Sequence, residues 1–168
     1  MELWDIYDDC FRKTGRTHIR GEELAKGDNH LVVHIYPINS KGQLLIQKRA
    51  KNVKVKPGMW AATGGSVIAG EELWDGARRE LKEEVGLTAT KENTELFSII
   101  KRRDRFTSIW FMHTDAPIEE IKLQEEEVED AKWASIKEIY QMMDEGLFWH
   151  YDYFDWMVQM LKSKGYIS

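Results

Sequence analysis

The residues best suited to chemistry lie in one stretch, GGSVIAGEELWDGARRELKEEVGL, from Gly64 to Leu87. A glycine pair is followed by Glu71, Arg79, Glu80, Glu83 and Glu84. Like charges three or four residues apart on a helix repel by roughly 0.2–0.5 kcal/mol per pair. The glutamates therefore form either a solvated face or a site for a cation. At 100° per residue, with Leu81 at zero, Trp74, Val85, Ala77 and Leu73 fall between about −80° and +40°, a buried stripe. On the same scale Glu84 falls at about −60°, Glu80 at about −100° and Glu83 at about −160°. One edge of the acidic arc thus overlaps the apolar stripe, which a purely solvating set would avoid. Arg79 lies next to Glu83 and can orient or neutralise the cluster, and Glu71 stands at the helix start, where the macrodipole favours a carboxylate. Clustered carboxylates on a rigid element suit a hard divalent cation such as Mg²⁺, which bridges to substrate phosphates. A glycine pair lets a carbonyl approach a metal, or an amide a phosphate. These residues point to metal-assisted phosphoryl chemistry.

The elements that must position them are legible in outline. Leu3–Tyr7 alternates as a short strand, and residues 17–29 read as a strand end and a loop. His30–Ile38 is rich in β-branched and aromatic residues and is expected to be a central strand. Residues 39–42 have turn chemistry and 43–49 form a second strand, so the two are expected to pair as a hairpin. A basic loop follows to Pro57-Gly58, then the short, small-residued WAATGG. The helix is expected from about Glu72 to Val85, stopped by Gly86. A second hairpin turns near Arg103-Asp104. Two amphipathic helices, SIKEIYQMMDEG and YDYFDWMVQMLKS, flank Gly146. The order predicts one domain over residues 1–168, α/β or α+β, with a mixed sheet between helices and residues 1–28 as an N-terminal extension packed on it.

Composition bounds the remainder. The chain has 168 residues and a formal charge of −5, which argues against a general nucleic-acid binder. The single cysteine, Cys10, excludes an internal disulfide and a cysteine-based metal site. Apolar runs are too short to span a membrane and the N-terminus lacks a signal-peptide pattern, so a cytoplasmic setting is expected.

The spacing Gly65-x5-Glu71-x7-Arg79-Glu80-Leu81-x-Glu83-Glu84-x-Gly86-Leu87 matches every fixed position of the box that defines the Nudix hydrolase family. The resemblance implies an α/β/α sandwich with a mixed sheet. It also implies a hydrolase that cleaves a nucleoside diphosphate linked to another group, or a related small-molecule diphosphate, with Mg²⁺ or Mn²⁺. By matching position, Glu83 and Glu84 resemble metal ligands, Glu80 a ligand or the general base, and Arg79 the residue that orients them. Glu71 resembles the loop support, and the Gly64 carbonyl a backbone ligand beside Gly65. Relatives often form dimers. In relatives a further acidic ligand often precedes a tryptophan that leads into a helix. Glu127, six residues before Trp133, fits that offset among Glu125, Glu126, Glu127 and Glu129. One departure is Thr63, where the family usually has proline.

The segment from His30 to Trp60 also resembles isopentenyl-diphosphate isomerase, with His30 at the position of a metal ligand. That enzyme needs a cysteine and a histidine in the following loop, and AATGGSV has neither. A non-catalytic nucleotide-sensing module is the third alternative. Arg49 is the basic residue best placed to hold substrate phosphates. Trp60 either stacks on a base or anchors its loop, and residues 149–157 either pack on the sheet or line a base pocket.

Overall fold

The computed structural model describes residues 1–168. Strands β1 (Leu3–Tyr7) and β2 (Lys13–Ile19) form a separate antiparallel pair. The main sheet is built around β3 (His30–Ile38), which is buried along most of its length. On one side β3 pairs in parallel with β8 (Arg105–His113) along all nine residues, and β7 (Thr94–Lys101) closes that side as the antiparallel partner of β8.

On its other side β3 meets β4 (Leu44–Arg49) only at Ile38↔Leu44. The expected hairpin is therefore a hairpin only at its turn. Beyond it the strands diverge, and residues 60–66 fill the gap: β5 (Trp60–Ala61) pairs with β4, and β6 (Thr63–Ser66) pairs with β3. The free edge of β4 takes β9 (Val128–Ala134), a strand that the sequence reading did not anticipate. Its Val128 and Ala134 are buried, whereas Glu129 and Asp130 between them face solvent.

Alternation along β3 feeds two cores. Leu31, Val33 and Ile35 pack with Ala77, Leu81 and Val85 of helix α1 (Leu73–Val85). Tyr36 and Ile38 pack with Ile139 and Met142 of α2 (Ile136–Asp144) and with Phe154, Met157 and Leu161 of α3 (Phe154–Ser163). A mixed sheet thus lies between helices, as expected. Helix α1 begins at its N-cap Glu72, whose side chain and that of Asp75 form a capping box, and ends at Gly86 with φ 76°. Gly76 allows the helix to close on the sheet, since a Cβ there would stand 2.8 Å from Val67 Cγ2. Helix α3 starts at Phe154 rather than Tyr151, which leaves residues 147–153 as an ordered connection. No helix is long and apolar enough to cross a membrane.

Candidate active site

The divergence of β3 and β4 opens the sheet to both of its faces. A cleft of ≈ 280 Å³ lies there, bringing together Gly64, Gly65, Arg79, Glu80, Glu83, Arg49 and Glu127. Seven residues singled out in the sequence therefore share one cavity.

Arg79 is the hub of its acidic wall. Nε and Nη2 donate to the two oxygens of Glu71 at 2.8 and 3.0 Å, and Nη2 also donates to the Ser66 carbonyl at 3.0 Å. Nη1 donates to Glu80 at 2.8 Å and to Glu83 at 3.2 Å. All five guanidinium N–H groups are used, which fixes the fork and the carboxylates around it. Glu71 also accepts from the Ile68 amide at 3.3 Å, so it ties the loop to the helix.

Glu84 has no such cation. It is 2% exposed, and its Oε2 accepts from Gln47 Nε2 at 2.8 Å and from the Gly64 amide at 3.0 Å. Burial raises its carboxyl to about 8, with the charge of Glu80 adding to the effect. Glu80, 8% exposed, is raised by burial to about 7, against the pull of Arg79. The glycine pair makes room for this arrangement. A Cβ on Gly65 would lie 2.4 Å from Glu80 Oε1, and one on Gly64 would lie 2.0 Å from the Val33 carbonyl oxygen.

The donor set fits a hard divalent cation: a buried carboxylate held only by neutral donors, a second one beside it, and Glu83 and Glu127 on the same cleft. In this conformation no three carboxylate or imidazole groups converge on one point. Arg79 holds Glu80, and Gln47 with Gly64 holds Glu84.

Gln47 escaped the sequence reading, and Thr63 entered it only as a departure from the family pattern. Thr63 Oγ1 donates to Gln47 Oε1 at 3.0 Å, which orients the Gln47 amide to donate to Glu84. The available signal was a glutamine sharing the inward face of β4 with Leu45. It also gives a role to the residue that replaces the usual proline.

The opposite wall comes from the α3 side of the sheet. Tyr151 and Trp149 line the cleft with rings stacked at 5.6 Å and 8°. His34 lines it too, and its Nδ1 lies 2.7 Å from Tyr153 Oη, which lies 2.8 Å from Tyr36 Oη. Burial lowers His34 to about 3, so the ring is neutral. Arg102 pairs with Asp152 and so ties the second hairpin to this segment.

Trp60 does not line the cleft. Its backbone bonds Leu147 and Trp149 at 2.9 and 2.8 Å, and Lys132 Nζ lies 4.9 Å from the ring centroid, so it anchors the segment that carries the aromatic wall. Arg49 reaches the cleft with Nε bonded to the Val55 carbonyl at 2.8 Å. Of the neighbouring lysines, Lys48 and Lys51 turn to Glu129 at 3.5 and 3.9 Å. Glu125 and Glu129 face a different hollow from Glu127. His30 stacks on Trp4 at 3.8 Å and lies outside the cleft, as does Cys10. Glu2 and Arg20, joined at 2.9 Å, bring the N-terminal strand pair to the cleft mouth.

Residues 28–157 match the NUDIX domain model. The chain is 38% identical over 149 residues to an uncharacterised Nudix hydrolase of Listeria monocytogenes, covering 88% of each chain. It is 37% identical over 161 residues to an uncharacterised Nudix hydrolase of Listeria innocua, covering 95% of each. A crystal structure of a Deinococcus radiodurans protein superposes with a TM-score of 0.77 at 18% identity, over 94% of this chain and 98% of that one, a likeness of fold. With the intact box folded into the carboxylate wall described above, the chain belongs to the Nudix family and is a pyrophosphate-cleaving hydrolase.

Proposed function

We propose that this chain is a Mg²⁺- or Mn²⁺-dependent pyrophosphohydrolase acting on a nucleoside diphosphate linked to a further group, or on a related diphosphate. The observation that carries the reading is a cleft lined by Glu80, Glu83 and Glu127, with Glu84, a carboxylate held by neutral donors only, buried behind its wall. The Gly64 carbonyl, Glu80, Glu83, Glu84 and Glu127 would hold the cation. When bound, it neutralises diphosphate charge and makes water a stronger nucleophile at neutral pH.

The chain's own groups do the rest. Arg79 keeps Glu80 and Glu83 in register. Thr63 and Gln47 orient Glu84. Glu80, oriented by Arg79 and lining the cleft, serves as ligand or general base. Arg49 offers its remaining N–H groups to substrate phosphate oxygens. Residues 1–168 work as one unit, because the N-terminal extension contributes Glu2 and Arg20 to the cleft.

The test is a release assay for phosphate, pyrophosphate and monophosphate across nucleoside triphosphates, dinucleoside polyphosphates, nucleotide sugars, ADP-ribose and prenyl diphosphates. At least one compound should turn over, activity should vanish with a chelator, and Mg²⁺ or Mn²⁺ should restore it. No turnover together with tight nucleotide binding would replace this reading with a sensing module. A dimethylallyl product from isopentenyl diphosphate would replace it with an isomerase.

A further inference from the structure

We propose that His34 is a specificity-determining residue: a fixed, neutral N–H donor that takes an acceptor on the part of the substrate beyond the diphosphate. The inference rests on the diphosphate-hydrolase reading and extends it to the far wall of the cleft.

Counting hydrogens fixes the direction of the buried chain Tyr36–Tyr153–His34. Tyr36 is 0% exposed and its hydroxyl has one partner, Tyr153 Oη at 2.8 Å. If His34 Nδ1–H donated to Tyr153, then Tyr153 would donate to Tyr36, and the Tyr36 O–H would be buried with no acceptor. An orphaned buried donor costs about 1–3 kcal/mol. The opposite direction leaves no orphan: Tyr36 donates to Tyr153, and Tyr153 donates to His34 Nδ1 at 2.7 Å. Nδ1 is then an acceptor, the ring is neutral, and the proton sits on Nε2.

Nε2 has no partner within the protein. It is also absent from the fully enclosed unpaired atoms, which are Trp4 Nε1, Asn29 Oδ1 and His30 Nδ1. With the ring lining the cleft, Nε2–H is open to it. The donor stands beside Tyr151, ring centroids 5.0 Å apart, and across β3–β6 from Gly64, which has no side chain to screen it. Register puts His34 on the Tyr36 face of the sheet, away from helix α1. It is thus set to meet what lies past the diphosphate rather than the diphosphate itself. A wall of Trp149 and Tyr151 with one N–H donor accepts a flat heterocycle bearing a carbonyl or ring nitrogen. An aliphatic chain would bury the donor unpaired, and discrimination of that kind is strong.

The experiment pairs ¹⁵N NMR of the imidazole with calorimetric binding of AMP, GMP, CMP, UMP, isopentenyl phosphate and imidodiphosphate, the last with Mg²⁺. Wild type should display the Nε2–H tautomer at pH 7. His34→Asn keeps an acceptor for Tyr153, while its amide N–H groups end short of the Nε2 position. It should weaken the tightest-binding nucleoside monophosphate about tenfold, leave imidodiphosphate within about twofold, and keep its thermal midpoint. His34→Gln, which returns an N–H near the position of Nε2, should restore most of the loss. Tyr153→Phe should lower the Nε2–H population and nucleotide affinity together. An Nδ1–H tautomer, an unchanged nucleotide affinity in His34→Asn, or an equal loss for imidodiphosphate would overturn the proposal. None of these readouts needs turnover, so an inactive panel would count against the hydrolase reading alone.

Discussion

The two walls of the cleft are built on different principles. The acidic wall comes from residues 71–84, close in sequence and held by charge, with Arg79 using every donor it has. The aromatic wall joins β3, the second hairpin and residues 147–153 through ring packing, neutral hydrogen bonds and the Arg102–Asp152 pair. The acidic wall buries two carboxylates, Glu80 and Glu84, and burial opposes the ionisation of both. The aromatic wall carries no net charge to resolve, and its one open donor is His34 Nε2–H. Substitutions in the acidic wall should therefore trade activity against the stability of the metal-free protein, whereas those in the aromatic wall should alter binding.

The largest expected effect is that of Glu84→Gln. An amide keeps the shape and removes the charge, so kcat should fall about a hundredfold or more, on the order of 3 kcal/mol. The metal-free protein should melt higher than wild type at pH 8, because one of the two buried carboxylates no longer has to ionise. The control Glu72→Gln, on the exposed N-cap, should stay within about twofold in activity. Retained activity in Glu84→Gln, or a lower melting point, would erase the contrast between the walls.

Next in size is Gly65→Ala. The added Cβ meets Glu80 Oε1 at 2.4 Å, so the carboxylate must leave Arg79, and kcat/KM should drop about tenfold with circular dichroism unchanged. Wild-type kinetics would mean that the position of Glu80 is not critical.

Glu127→Gln should raise the Mg²⁺ needed for half-maximal rate about tenfold, near 1.4 kcal/mol. Glu125→Gln, Glu126→Gln and Glu129→Gln should not, Glu129 being engaged with Lys48. A neighbour carrying the effect would reassign the ligand.

The smallest effect is a slope. Glu84 and Glu80 titrate near 8 and 7 when folded and about 4.3 when unfolded, so the folded state binds more protons between those values. Their contribution is complete at low pH and is lost as pH rises through 7 and 8. His30 and His34, lowered to about 4 and about 3, act in the opposite sense only below about pH 6.5. The melting point in chelator should therefore fall from pH 6.5 to 8.5, with a shallower fall in Glu84→Gln, and Mg²⁺ should recover most at the alkaline end. A flat profile in wild type would contradict the burial of these carboxylates.

The contrast also explains what could be read in advance. Helix periodicity placed Glu84 at the edge of the apolar stripe and Glu83 outside it, and the folded helix buries the first and exposes the second. That pattern is local, so one turn of sequence encodes it. The aromatic wall depends on pairings between distant residues, His34 with Tyr153 and Arg102 with Asp152, which no window of sequence contains. Strand β9 was hidden because it buries only its two ends, Val128 and Ala134, and exposes the acids next to the first. Trp60 illustrates the same limit: its type suited a base platform, but its backbone partners make it the anchor of residues 147–149.

The parallel pairing of β3 with β8 has a consequence for how the molecule comes into being. The partners are separated by nearly half the chain, and α1 lies inside the loop that this pairing closes. During synthesis the glutamate helix leaves the ribosome well before β8 exists to complete the sheet beneath it. Until that closure the apolar face of α1 lacks Phe106, Trp110 and Met112 as neighbours in its core, so completing that core belongs to a late step with a high closing entropy. Refolding should thus be slow for a chain of this length, which tryptophan fluorescence after denaturant dilution reads directly.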